Sequence, residues 1–233
     1  MRILITDSTW NMAIIGRNLR DAGFYVTEAA DGDDILEFLK TSQQDAVVLD
    51  VDLPHMTACE LLRQIRRVDP HIPVCIGAKN WSEADSLKAL IAGADDTFTF
   101  DHDEADALPA RLRAYVRRVA GFASSEVTVG DLQIDIDRQV VRFGDLPIRL
   151  TRLEYELVET LVLRGGALIT RDDIMVQLYA FQDEPDAKII DVYICRIRAK
   201  LMAAGASHNF ISTAFAQGYR LCAQPIPERA VAA

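Results

Sequence analysis

Residues 45–54 read Asp-Ala-Val-Val-Leu-Asp-Val-Asp-Leu-Pro. A short apolar run that ends in a carboxylate suits a strand buried on both faces, as strands in parallel sheets are. Working outward, comparable runs occur at Arg2–Thr6, Phe24–Glu28, Ile72–Gly77 and Thr97–Phe100. Helical stretches separate them, near 8–22, 32–41, 56–67, 82–92 and 103–119. Five strands alternating with five helices imply parallel crossovers and a doubly wound α/β sheet over residues 1–120. Ligand sites in such sheets lie beyond the C-terminal strand ends. That draws attention to Thr6–Ser8, Asp50–Asp52, Gly77–Lys79 and Phe100–Asp101.

Residues 121–127, Gly-Phe-Ala-Ser-Ser-Glu-Val, read as a linker. The pattern then changes, and 128–223 reads as a second domain. Val127–Val129, Leu132–Ile136 and Val140–Phe143 are short β-type pieces, with Gly130-Asp131 and Gly144-Asp145 as turns. Thr151-Arg-Leu-Glu154 has the spacing of a capping box and opens a helix that should stop at Gly165-Gly166. A second helix is expected over about 171–179 and a third over about 186–203, started by Pro185 and Asp186. A hairpin follows, Phe210–Thr213 and Tyr219–Cys222, and 224–233 reads as a loose tail. Three helices after an antiparallel sheet, closed by a hairpin, describe a winged helix-turn-helix.

The chain has 233 residues, with 25 Lys+Arg against 35 Asp+Glu, a net charge of −10. Taken whole, that argues against a nucleic-acid coat. The distribution is uneven: residues 187–223 hold Lys188, Arg196, Arg198, Lys200 and Arg220 against Asp191 alone. The four cysteines, Cys59, Cys75, Cys195 and Cys222, form no CxxC pair and read as buried free thiols of a reducing compartment. No apolar stretch reaches the length of a membrane span, and no signal-peptide pattern opens the chain. A cytoplasmic protein without membrane partners is expected. His55, His71, His102 and His208 show no metal spacing, and no phosphate loop or nucleophile elbow appears. No enzymatic activity is expected.

In Ala187–Leu201, Ile190, Ile194, Ile197 and Leu201 recur at helical spacing and should face the core. Tyr193, Arg196 and Lys200 fall on another stripe, flanked by Lys188 and Arg198. An apolar back with a basic front suits the major groove of duplex DNA. There, arginine reads guanine with paired hydrogen bonds and lysine neutralises a phosphate.

These stretches resemble the DNA-binding domain of OmpR/PhoB-family response regulators. The opening pattern is Leu150-Thr-Arg-Leu-Glu154, the reading helix Asp191-Val-Tyr-Ile-Cys-Arg-Ile-Arg-Ala-Lys-Leu201, and the wing Thr213-Ala-Phe-Ala-Gln-Gly-Tyr219. The run from Asp183 to Arg198 is most similar to the CtrA-like branch of that family. The resemblance implies that Tyr193, Arg196, Arg198 and Lys200 meet DNA, with Lys188 on a phosphate and Thr213 and Gln217 approaching from the wing. A basic residue is common in that wing, and this one has Phe215 and Gln217 instead.

The first half resembles the receiver domain of the same family, a flavodoxin-like fold. Asp50 matches the phosphoacceptor, Leu53-Pro54 follows it, and Gly93-Ala-Asp-Asp96 matches the segment before the fifth strand. Receivers hold Mg²⁺ with an acidic pair and the acceptor carboxylate, and hold the phosphoryl oxygens with a hydroxyl and a lysine. Here the pair appears as Thr6-Asp7-Ser8, which leaves Asp7 and Asp50 as the metal ligands if the site is competent. The hydroxyl position is Ala78 and the lysine position Phe100, with Asp101 in place of the following proline and Thr97 in place of the switch aromatic. A shift of one residue would bring in Lys79, but no lysine lies anywhere in 89–110. Each charge-assisted hydrogen bond lost is worth roughly 1.5–3 kcal/mol. The resemblance also implies dimerisation through the fourth helix, fifth strand and fifth helix, here Leu87, Leu90, Ile91, Asp96, Arg111 and Arg118.

The sequence reads as a sequence-specific DNA-binding transcription regulator. It is expected to pair through its receiver-like half, to act largely without aspartyl phosphorylation, and to have RNA polymerase as a further partner. Two alternatives stay open: a conventional regulator phosphorylated at Asp50 with Mg²⁺, and a receiver-based adaptor with weak DNA binding.

Overall fold

The computed structural model describes residues 1–179, 186–215 and 217–222. The expected tail, Pro185 and the start of the Asp183–Arg198 run lie outside them. The chain divides into two compact units, Met1–Val119 and Ala120–Ala233.

In the first unit the order is β1 (Arg2–Thr6), α1 (Trp10–Asp21), β2 (Tyr25–Ala29), α2 (Gly32–Thr41), β3 (Ala46–Asp50), α3 (Ala58–Val68), β4 (Val74–Ala78), α4 (Glu83–Ala92), β5 (Asp96–Thr99) and α5 (His102–Val119). The sheet order is β2-β1-β3-β4-β5 with every pairing parallel. All residues of β1, β3 and β4 are buried, which is why they read as continuous rather than alternating apolar runs. The helices meet them with amphipathic faces: Leu61, Leu62 and Ile65 of α3 pack with Val47, Leu49, Val74 and Ile76. Local chemistry starts the helices. Thr57 and Glu60 form a capping box for α3, and Asp31 accepts from the N–H groups of Asp33 and Asp34 to open α2.

The second unit begins with an antiparallel sheet, β6 (Glu126–Val129), β7 (Leu132–Asp135), β8 (Val140–Phe143) and β9 (Leu146–Ile148). The segment expected as a linker, 121–127, lies between α5 and β6 and overlaps the first two residues of β6. Helix α6 (Arg152–Leu163), strand β10 (Ile169–Thr170), α7 (Arg171–Tyr179) and α8 (Lys188–Ala203) follow, then the hairpin β11 (Ile211–Ala214) and β12 (Gly218–Leu221). Strand β12 lies between β10 and β11. Ile190, Ile194, Ile197 and Leu201 are all buried, so the apolar stripe of α8 forms its inner face. This is a winged helix-turn-helix.

The cysteine expectation needs correction. Cys75 is buried and Cys59 half-buried, but Cys195 and Cys222 are exposed. Cys195 follows Ile194 by one residue, a turn of about 100° that takes it off the buried stripe. Among the described residues, no helix is long and apolar enough to cross a membrane.

Candidate functional site: a nucleic-acid interface and a closed receiver end

Helix α8 presents its basic residues in two ways. Lys188 and Arg196 are exposed. The Arg196 guanidinium has no protein partner among the described residues, and the Lys188 ammonium has only Asp186 at 3.9 Å. These two are available for a ligand. Arg198 and Lys200 are engaged within the unit. The Arg198 guanidinium donates to the Ile211 carbonyl at 3.0 and 2.6 Å and to Thr213 Oγ1 at 2.8 Å, which ties α8 to the hairpin. Lys200 Nζ donates to Glu154 Oε2 at 2.5 Å, and the Glu154 side chain is only 2% exposed. Tyr193 shares a hydroxyl–hydroxyl hydrogen bond of 2.9 Å with Tyr179 at the end of α7. The sequence puts Tyr193, Arg196 and Lys200 on one stripe with Lys188 and Arg198 flanking it, and the resemblance implies DNA contact for all five. The structure brings them onto one helix but gives Arg198, Lys200 and Tyr193 internal partners first.

Burial pushes the Glu154 carboxyl up, but the hydrogen bonds from Lys200 and the Thr151 N–H outweigh it and hold the group below its ordinary 4.5. The Thr151 N–H donates to Glu154 Oε2 at 2.7 Å, the back-reaching half of the expected capping box.

A second tie was not legible beforehand. Arg171, at the start of α7, donates to Asp191 Oδ1 at 3.0 Å and to the Tyr219 hydroxyl at 3.1 Å, and Tyr219 donates to Asp191. The hydrogen bond from Tyr219 pulls the Asp191 carboxyl down, and the Arg171 charge adds to this. Burial and the facing carboxylate push the Tyr219 phenol up to about 12. Arg171, Asp191 and Tyr219 thus lock α7, α8 and β12 together, so the hairpin is a fixed neighbour of the reading helix. Thr213 Oγ1 accepts from Arg198, and Gln217 and Phe215 are exposed.

In the first unit, Asp50 ends β3 with 1% of its surface exposed. Thr9 Oγ1 donates to its Oδ2 at 2.6 Å and the Asp52 N–H to its Oδ1 at 3.0 Å. Burial pushes its carboxyl above the ordinary 3.8 against those hydrogen bonds. Asp7 is exposed at the end of β1. Among the described residues no group of three or more acidic, thiol or imidazole side chains is placed to hold a metal ion. Each Asp50 oxygen accepts one hydrogen bond and keeps a second lone pair, so Asp7 and Asp50 are the two carboxylates that would hold a Mg²⁺ ion, with water completing its shell.

The neighbouring strand ends explain the rest. Asp50 pairs in register with Gly77, and Gly77 with Phe98. A Cβ on residue 77 would collide with Phe100 Cε1 and lie 2.7 Å from Phe98 Cζ. Phe98 and Phe100 meet edge to face, with centroids 5.7 Å apart. The Phe100 ring therefore occupies the space over Gly77, beside the strand end that carries Asp50. The Phe100 N–H donates to the Ala78 carbonyl at 3.1 Å, which fixes the register that puts Ala78 at the hydroxyl position. Lys79 is exposed. Asp101 accepts from the Glu104 N–H at 3.0 Å and so caps the start of α5.

On α4, Leu87, Leu90 and Ile91 are exposed, Ile91 by 77%. Arg111 Nη1 lies 3.2 Å from Asp96 and its other terminal nitrogen 3.9 Å from Glu104, pairs formed within one chain. Arg118 is exposed on α5. Ser86 and Thr97 share a hydroxyl hydrogen bond of 2.7 Å that joins α4 to β5.

Comparison with known proteins agrees with this division. The family model described as the response regulator receiver domain matches residues 3–111. The one described as transcriptional regulatory protein, C terminal, matches residues 145–221. The cell cycle response regulator CtrA of Brucella anthropi is 36% identical over 221 residues, covering 94% of each chain, and that of Brucella ovis is 35% identical over the same share. Among solved structures, the Thermotoga maritima OmpR/PhoB homologue DrrB is 26% identical, with 94% of this chain and 98% of that chain covered and a TM-score of 0.44.

Proposed function

The chain belongs to the OmpR/PhoB-type response regulators, and from that membership we propose that it regulates transcription by binding a specific duplex DNA site as a homodimer, without aspartyl phosphorylation. DNA binding is supported by α8: a buried apolar stripe holds it, and Arg196 and Lys188 are exposed off that stripe. In this reading Arg196 reads a base edge in the major groove and Lys188 meets a phosphate. Arg198, Lys200, Tyr193 and Thr213 set the pose of helix and hairpin and reach the DNA backbone only with what their internal bonds leave free. Gln217 offers the wing a hydrogen bond but no charge.

The single observation that carries phosphorylation independence is the Phe100 ring over Gly77. Phosphoryl transfer works by positioning and neutralising charge, and an aromatic ring at the cation's position supplies neither. Pairing is supported by the exposed Leu87, Leu90 and Ile91. RNA polymerase is the partner this role implies.

The test compares the wild type with Asp50→Asn. Mass, oligomeric state and affinity for a DNA site selected from a random pool are measured with and without a small phosphodonor and Mg²⁺. Equal affinity and no mass gain are expected for both proteins. A donor-dependent gain of one phosphate in wild type only, with tighter binding, would sink the proposal in favour of a conventional regulator. Absence of any selected DNA site would favour an adaptor role. Arg196→Ala should cost the selected site far more affinity than random DNA.

A further inference from the structure

Phe215 is 93% exposed, the most exposed large apolar side chain among the described residues. It follows β11 directly, at the outer end of the hairpin. Nothing charged accompanies it: residues 214–219 read Ala-Phe-Ala-Gln-Gly-Tyr. The tip therefore cannot gain affinity by releasing counterions from phosphates. The hairpin behind it is held firmly. Arg198 bonds it from α8, and Tyr219 bonds Asp191 and Arg171. At Gly218 a Cβ would collide with the Ile169 carbonyl, so β12 sits as close to β10 as backbone allows. A bare aromatic ring thus follows directly on a strand that is tied to the helix carrying Arg196.

We infer that Phe215 is an apolar wedge that enters the minor groove beside the stretch read by α8 and partly unstacks one base step. The inference rests on the DNA-binding reading above and specifies what the wing does there. Proteins that widen a minor groove insert such side chains between base steps and bend the duplex. Pyrimidine–purine steps unstack most readily, so the wing adds sequence preference without a hydrogen bond to any base. Burial of the ring supplies affinity that a charged wing tip would draw from phosphates. The two sources have opposite salt signatures.

The experiment uses the full chain and a duplex selected from a random pool. Affinity is measured against salt concentration, and bending by energy transfer between dyes at the duplex ends, for wild type, Phe215→Ala and Phe215→Arg. Phe215→Ala should bind about tenfold more weakly. It should bend the duplex less and leave the slope of log affinity against log salt unchanged. Phe215→Arg should recover affinity at low salt while steepening that slope by about one. Replacing the wing-proximal pyrimidine–purine step should weaken wild type and leave Phe215→Ala unaffected. Melting temperatures of the three proteins should agree, since the ring is 93% exposed.

Failure of this inference is separable from failure of the DNA reading. If wild type selects no DNA, the reading itself falls. If wild type selects a site but Phe215→Ala binds and bends it equally, the wedge is overturned while the reading stands. Unchanged DNA affinity with lower transcription by purified RNA polymerase would likewise overturn it, assigning Phe215 to a protein contact.

Discussion

Position 77 shows how one side chain dictates another. Phe100 and Phe98 leave no room for a Cβ at Gly77, so the glycine is the space that the Phe100 ring needs. Gly77→Ala should cost about 1–3 kcal/mol of stability, as overpacking a tight core does, measured by urea unfolding. In Phe100→Ala the same alanine at 77 should cost less, because only the contact with Phe98 Cζ at 2.7 Å remains, giving a coupling of about 1 kcal/mol in a double-mutant cycle. Additive effects would mean that the two positions do not share the space. The absence of lysine at position 100 was legible in the sequence, as was Ala78 in place of a hydroxyl. The role of Gly77 was not, because nothing in a linear string says that the ring of residue 100, at the end of the neighbouring strand, folds back over it. Asp50 was read as a strand-end carboxylate and is one; its bond from Thr9 lies 41 residues away in sequence and had no local signal.

At the scale of elements, α8 is held by polar ties on the flanks of its apolar stripe. The Lys200–Glu154 pair joins it to α6, and it differs from an ordinary surface ion pair because the carboxylate is buried. Lys200→Ala should remove about 1–3 kcal/mol of stability, since the Glu154 charge would remain buried with one partner fewer. Arg196→Ala, by contrast, should leave stability unchanged and lower DNA affinity. The pH dependence has a definite sign. Glu154 is held below its ordinary 4.5 in the folded state. The stability it contributes is therefore fully present above 4.5 and lost as pH falls through its lower folded value. Thermal melts from pH 7 to pH 3 should show that loss in wild type and a shallower one in Glu154→Gln; parallel profiles would remove the pair from the account. The long elements were legible from periodicity: ten strands and helices of the first unit, and α6, α7 and α8, appear within a few residues of their expected places. β9 and β10 were not, being three and two residues long. Strands so short have no period of their own and exist because β8 and β12 offer an edge. The same reason hid the internal partners of Arg198 and Lys200: a helix face identifies basic residues, but only the fold shows which of them are already bonded.

At the scale of the whole molecule, the net charge of −10 opposes long-range attraction to DNA. Among the described residues, α8 offers Lys188 and Arg196 to a ligand, and the wing tip offers no cation short of Arg220 on β12. A single copy should therefore hold DNA weakly, and two linked copies on adjacent half-sites gain affinity through effective concentration rather than new contacts. The exposed apolar residues of α4 are the means of linkage in this reading, and Ile91, 77% exposed, is the side chain whose change disturbs the fold least. Ile91→Asp puts a charge where two copies would meet. It should shift the protein from dimer to monomer in sedimentation and leave the melting temperature within about 2 °C, because a surface substitution is worth about 0.5 kcal/mol or less. Binding to a duplex with two half-sites should fall at least tenfold, while binding to a single half-site stays the same. Loss on both duplexes alike would indicate damage to the DNA-binding unit. An unchanged dimer with unchanged binding would mean that the α4 face is not the one that pairs, and that the cation-poor DNA face of a single chain suffices.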